Sequence, residues 1–156
     1  MPTVSARRRI DAAIDDVWAV LSDLKNAQRW NSGWENIELE GEGIAGEGVV
    51  FVVRGEDGLS NEFQISAWQP PQHVGFTPHG RHPEGGDYWI SVEGQDIYLR
   101  PAGAEKTEVT VSATARTHGL RGWMVGLLVW PGFQRKGLKG MLDSLADLFK
   151  EEREVP

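Results

Sequence analysis

Apolar residues recur at helical intervals near the end of the chain. Leu138, Met141, Leu142, Leu145, Leu148 and Phe149 fall on one face of a helix. Lys139, Asp143, Asp147 and Lys150 fall largely off that face, as a solvated surface requires. Just before it, residues 123–130 are apolar all round except at Gly126. A helix of that kind must be covered on several sides or must touch something other than water. Pro131-Gly132 interrupts the run, which predicts one long helix over 119–152 with a break at that point.

Upstream the period shortens. Residues 4–10 alternate weakly and predict a first strand with Arg7 and Arg9 on its outer face. Asp15-Asp16 suits the positive end of a helix whose buried side is Val17, Trp18 and Leu21, closed by Ser22-Asp23. Asn26 is expected to cap a short second turn over 27–30. Ile37 and Leu39 then alternate with acids up to Gly41. The run Val49-Val50-Phe51-Val52-Val53 reads as a strand buried on both faces.

Residues 55–58 predict a turn. Asn61, Phe63, Ile65 and Ala67 alternate with Glu62, Gln64 and Ser66 up to Trp68, where Pro70-Pro71 breaks the strand. A further strand starts at His73, and residues 78–86 predict a loop. Residues 88–100 predict a long strand bent near Gly94. Residues 107–116 give the cleanest alternation: Thr107, Val109, Val111, Ala113 and Ala115 against Glu108, Thr110, Ser112, Thr114 and Arg116. The order is strand, two short helices, about six antiparallel strands and a long helix, an α+β class.

Composition narrows the function. The 156 residues suit a single domain spanning 1–156. A net charge of −7 argues against a nucleic-acid partner bound through its phosphates. Zero cysteines exclude disulfides and thiolate sites. The first ten residues lack the apolar core of a signal peptide, and no apolar run reaches the roughly 20 residues that cross a bilayer. A cytoplasmic location is the expectation.

The segment 14–31, with Val17-Trp18-Ala-Val-Leu21-Ser-Asp23 followed by a short helix ending at Trp30, resembles the polyketide cyclase/dehydrase-like branch of the START/Bet v 1-like (SRPBCC) superfamily. Gly46-Glu47-Gly48, Trp68-Gln-Pro-Pro71, Tyr98-Leu-Arg-Pro101 and Thr107-Glu-Val-Thr110 follow in the same order. One departure is Ile14, where the family often has Pro. The resemblance implies a helix-grip fold: a seven-stranded curved antiparallel sheet around a long C-terminal helix, two short helices after the first strand, and a hydrophobic cavity between. Relatives include lipid carriers, metabolite binders and cyclases, so fold alone does not choose a reaction.

Catalytic candidates are sparse. His79, His82, Glu84 and Asp87 can be drawn as a metal site, but they fall in a Gly/Pro-rich loop without a complete ligand set, and no metal or other cofactor is expected. There is no Gly-x-Ser-x-Gly elbow. The glycine-rich segment 41–46 joins two strands, so no helix N-terminus follows to hold phosphate. A cyclase would need a donor for a carbonyl, from Tyr88, Tyr98 or Arg100, and a base, from Glu62 or His73. Alternation sends Glu62 to solvent.

Large apolar side chains sit on every element that faces the expected cavity. Its walls are expected from Trp30, Trp34, Phe51, Phe63, Trp68 and Phe76, and from Trp89, Tyr98, Met124, Leu128, Phe133 and Met141. Walls of that kind take a small hydrophobic ligand, lipid or polyketide-like. Two alternatives stand beside this reading: a cyclase/dehydrase-like enzyme, and a lipid carrier that docks to membranes through 121–139. Burial of 123–130 against the sheet is the preferred expectation; the cations around it, Arg121, Arg135, Lys136 and Lys139, support membrane contact.

Overall fold

The alternation that is cleanest in sequence becomes the seam of the sheet. The computed structural model describes residues 3–31, 34–41, 45–54, 60–79, 90–117 and 119–154. In it β7 (Lys106–Thr117) lies between β1 (Thr3–Ile10) and β6 (Ile90–Gly103), antiparallel to both. Thr107, Val109, Val111, Ala113 and Ala115 are all buried on its inner face. From β1 the chain passes through α1 (Ile14–Ser22) and a 3₁₀-helix (Leu24–Arg29) to the opposite edge. It then returns as a meander of β2 (Asn36–Leu39), β3 (Val50–Arg54), β4 (Ser60–Gln69), β5 (His73–Pro78), β6 and β7. The order β1-β7-β6-β5-β4-β3-β2 is one seven-stranded antiparallel curved sheet, and with the helices it has the helix-grip arrangement.

Several local expectations are corrected. β3 is buried on one face only: Phe51 and Val53 are covered, whereas Val50 and Val52 are half-buried. The strand beyond it is only four residues long. β4 does not keep one phase. A register shift between Ile65 and Ala67 moves Ala67 outward opposite Gly75 and turns Trp68 inward opposite Val74. Asn26 does not cap a second turn. It lies inside the 3₁₀-helix with non-helical φ −109°, ψ 20°, and its amide donates to the Asp23 carboxylate at 2.7 Å. The expected turn at 55–58 and nearly all of the loop at 78–86 lie outside the described residues.

The terminal helix is two helices. α2 (Gly119–Leu128) and α3 (Trp130–Glu154) are separated at Val129, just before the expected break. Pro131 sits in the first turn of α3, where its missing N–H removes no intrahelical bond. α3 packs on β1 and β7 through Leu138, Leu142, Leu145, Ala146 and Phe149. The inward row of β1 is Val4, Ala6, Arg8 and Ile10, and Arg8 reaches Asp143 of α3 as an ion pair. α1 closes one end with Val17 and Leu21 buried.

The entry to α1 is tied to β7 by a buried hydrogen bond. Thr107, 0% exposed, donates its hydroxyl to the Ala12 carbonyl at 2.8 Å. Thr107→Val keeps the shape and strands that carbonyl, so it is expected to cost about 1–3 kcal/mol in urea unfolding. An unchanged midpoint would contradict this role.

Candidate functional site

One half of the inner sheet face is filled by aromatic rings. Phe51 of β3 and Phe63 of β4 are register partners, with centroids 5.7 Å apart. Phe76 of β5 lies 5.6 Å from Phe51. Beyond the 3₁₀-helix the chain turns over these rings and sets Trp34 among them. Its indole is 5.6 Å from Phe51, 5.7 Å from Phe63, 5.6 Å from Phe76 and 6.1 Å from Trp30. Each such pair adds about 0.5–1.5 kcal/mol beyond area burial. Trp30, Phe51 and Phe76 are fully covered, while Trp34 and Phe63 are only partly so. Trp68 of β4 faces inward and meets Trp18 of α1 edge-on at 5.3 Å.

The wall along β6 and β7 has a different character. Gln95 pairs with Phe76 on one side and Ala113 on the other, which places it on the inner face. Its amide nitrogen lies 3.9 Å from the Met141 sulfur on α3. A thioether is a weak acceptor. Gln95 is thus a half-buried amide with one weak partner among the described residues, set among Phe76, Met141 and the small side chains Ala113 and Ala115. It can donate to a ligand carbonyl or carboxylate and accept from a hydroxyl. Sequence reasoning misses the residue because it is polar, yet a signal exists: Gln95 is in phase with Ile97 and Leu99, both buried.

Other expected positions lie elsewhere. Tyr98 is not a wall of the cavity. It alternates with Ile97 and Leu99, is 46% exposed on the outer face, and stacks on His73 at 4.2 Å. His73 Nε2 is 2.8 Å from Asp96 Oδ1, and that carboxylate crowds Gly75 so closely that a Cβ there would stand 2.6 Å away. Met124 and Leu128, expected inside, are 49% and 77% exposed. α2 touches β6 and β7, but its stripe at 120, 123, 124 and 128 turns outward. The preferred burial of 123–130 therefore fails at Trp123, Met124, Leu128 and Val129. Trp89, Tyr88, His82, Glu84, Asp87 and His118, and the Phe133 side chain, lie outside what the structure describes.

The remaining polar candidates stand outside as well. Glu62 is exposed, as the alternation predicts, and Arg100 is exposed and bonded to Glu108 at 2.7 Å. Among the described residues no three His, Cys, Asp or Glu side chains group as metal ligands, and no helix is long and apolar enough to cross a membrane. A separate groove of about 500 Å³ lies where the start of α1 meets the β6–β7 hairpin and the end of α3. Asp11, Asp16 and Glu105 line it above Ala12, Ala19, Val20 and Phe149.

A family model described as polyketide cyclase/dehydrase and lipid transport matches residues 1–150. The chain belongs to that family. No curated protein matches it in sequence. Solved structures similar to this polyketide cyclase/dehydrase and lipid transport family member share its fold at low identity. A protein from Nitrosospira multiformis is 16% identical, with TM-score 0.73 over 98% of this chain and 100% of that one. One from Mesorhizobium loti is 14% identical, with TM-score 0.72 over 96% and 98%. Norcoclaurine synthase from Thalictrum flavum, a point mutant in complex with a transition-state analogue, is 19% identical, with TM-score 0.69 over 98% and 96%.

The outer-face cluster of this family member has a titration of its own. Partial burial, and then the Asp96 carboxylate, raise the Tyr98 hydroxyl above its ordinary 10.0. The fold favours the neutral phenol. The associated stability is present below the unfolded value and is lost as pH rises through the folded one. The phenolate absorbance difference between the parent and Tyr98→Phe should therefore have its midpoint above 10.0. Asp96→Asn should lower that midpoint only part of the way. A parent midpoint at or below 10.0 would contradict burial and the Asp96 charge as the causes.

Proposed function

We propose that the protein binds a small hydrophobic ligand, a lipid or polyketide-like molecule, between the inner face of the sheet and α3. The observation that carries this reading is the Gln95 amide, turned into an apolar wall and opposed only by the Met141 thioether among the described residues. Pockets for such ligands combine apolar walls with a few polar groups that orient the guest. The apolar body of the ligand would lie against Trp34, Phe63 and Met141, and its polar end would meet Gln95. Membership in a family described by both cyclase/dehydrase chemistry and lipid transport supports ligand binding as the shared step.

Binding is favoured over cyclase chemistry by the placement of side chains. Of the donors and bases that could polarise a carbonyl or take a proton from the adjacent carbon, the structure describes Glu62, His73, Tyr98 and Arg100. All four stand on the outer face or in solvent. Among the side chains that the structure describes, the inward polar ones on the strands are Gln95, Thr107, Arg8 and, at the exposed end of β4 opposite Val53, Asn61. Thr107 is committed to Ala12 and Arg8 to Asp143. An amide orients a ligand; it does not exchange protons with it near neutral pH.

Native mass spectrometry of the purified protein is expected to show a species heavier than the 17.3 kDa chain that collapses to the chain mass on denaturation. Gln95→Leu should weaken a fatty acid or a hydroxylated aromatic by about 2- to 12-fold, the worth of one hydrogen bond. Binding of the matching hydrocarbon should not change. Equal weakening of both ligands, or of neither, would contradict the orienting role.

A further inference from the structure

Apart from Tyr98, every large apolar side chain that is exposed among the described residues falls within 120–129. Leu120 is 75% exposed, Trp123 55%, Met124 49%, Leu128 77% and Val129 61%. The first four recur at helical spacing, so they form a stripe along α2 rather than scattered positions. Water is a poor solvent for a continuous face of this kind, and exposed patches of this sort mark places where something else docks.

Charge says what that is. From residue 109 to residue 142 there is no acidic side chain, while Arg116, Arg121, Arg135, Lys136 and Lys139 contribute +5. The whole chain carries −7, so everything outside this segment carries −12. Arg121, Arg135, Lys136 and Lys139 are exposed, and among the described residues none of them pairs with a carboxylate. An apolar stripe next to exposed cations, in a chain that is otherwise strongly acidic, complements one surface in particular: an anionic lipid bilayer. The apolar stripe would enter the boundary between headgroups and acyl chains, with the Trp123 ring at headgroup depth and the cations on the phosphates. A second copy of the chain fits less well, because residues 109–142 would bring cations and no acid of their own to such a contact.

We propose that α2 is a peripheral membrane-docking element, with Leu120, Trp123, Met124 and Leu128 entering an anionic bilayer and Arg121, Arg135, Lys136 and Lys139 holding its headgroups. This is independent of what lies beneath α3, since none of these residues belongs to the proposed ligand site.

The full chain should sediment with vesicles containing about 30% phosphatidylglycerol and not with neutral phosphatidylcholine vesicles. The bound fraction should fall steeply between about 0.1 M and about 0.5 M salt. Arg135→Glu/Lys136→Glu should abolish sedimentation, as should Leu120→Ser/Trp123→Ser, with melting temperatures close to the parent because all four positions are exposed. The absence of cysteine allows a single environment-sensitive dye at Leu128→Cys, whose emission should shift blue on anionic vesicles, while the same dye at exposed Ser5→Cys on β1 should not. The proposal is overturned by sedimentation that survives both double substitutions, by equal binding to neutral vesicles, or by a dye at 128 that stays in water while the protein pellets. A blue shift without vesicles that tracks self-association would assign the face to a second copy instead.

Discussion

A sheet with one apolar face has to be covered, and here the cover comes from two directions. α3 lies along β1 and β7 and buries Leu138, Leu142, Leu145 and Phe149 there. The opposite side, over β3, β4 and β5, is covered by Trp30 and Trp34, delivered by the chain after the 3₁₀-helix. The two covers differ in kind. Rings on rings close the β3–β5 side, with Trp30, Phe51 and Phe76 at 3% exposure or less. Along β7 the inner side chains shrink to Ala113 and Ala115, and among the described residues the polar Gln95 meets α3 through a sulfur. The proposed ligand site follows from that difference in coverage.

The same constraint explains which side chains are unavailable for chemistry. Any antiparallel strand sends alternate residues to solvent. Among the described residues His73, Asp96, Glu62 and Arg100 occupy the outer rows of the sheet. His73 pairs with Asp96 and Arg100 with Glu108, Glu62 is exposed, and Tyr98 lies flat on His73. Among the described side chains the inner rows hold the Gln95 amide, Thr107 committed to Ala12 and Arg8 committed to Asp143.

The fold is legible wherever burial imposes a period. β7, α1 and the stripe on α3 appear where the alternation and the helical spacing put them, and the bend near Gly94 shows as a register shift between Val92 and Gly94. Legibility fails where one residue shifts the phase. The β4 bulge at Ser66-Ala67 turns Trp68 inward, and nothing local in Ile65-Ser66-Ala67-Trp68 announces it. In the site, side-chain identity competes with position. The ring of Tyr98 suggests an inward place and the amide of Gln95 an outward one, although Ile97 and Leu99 fix the opposite phase for both. α2 is a different case: its composition is that of a covered helix, and only the structure shows Leu120 and Leu128 bare.

Two methionines report separately on the ligand site and on α2. Met141 stands on the inner side of α3 beside Gln95, and Met124 is exposed on α2. The chain has three methionines in all, so the methyl spectrum of methyl-labelled protein is simple to assign. Titration with a soluble medium-chain fatty acid, without vesicles, should shift the Met141 methyl in proportion to occupancy and leave Met124 in place. A Met141 signal that stays fixed while the protein binds the fatty acid, or a shift confined to Met124, would contradict a ligand site between the sheet and α3.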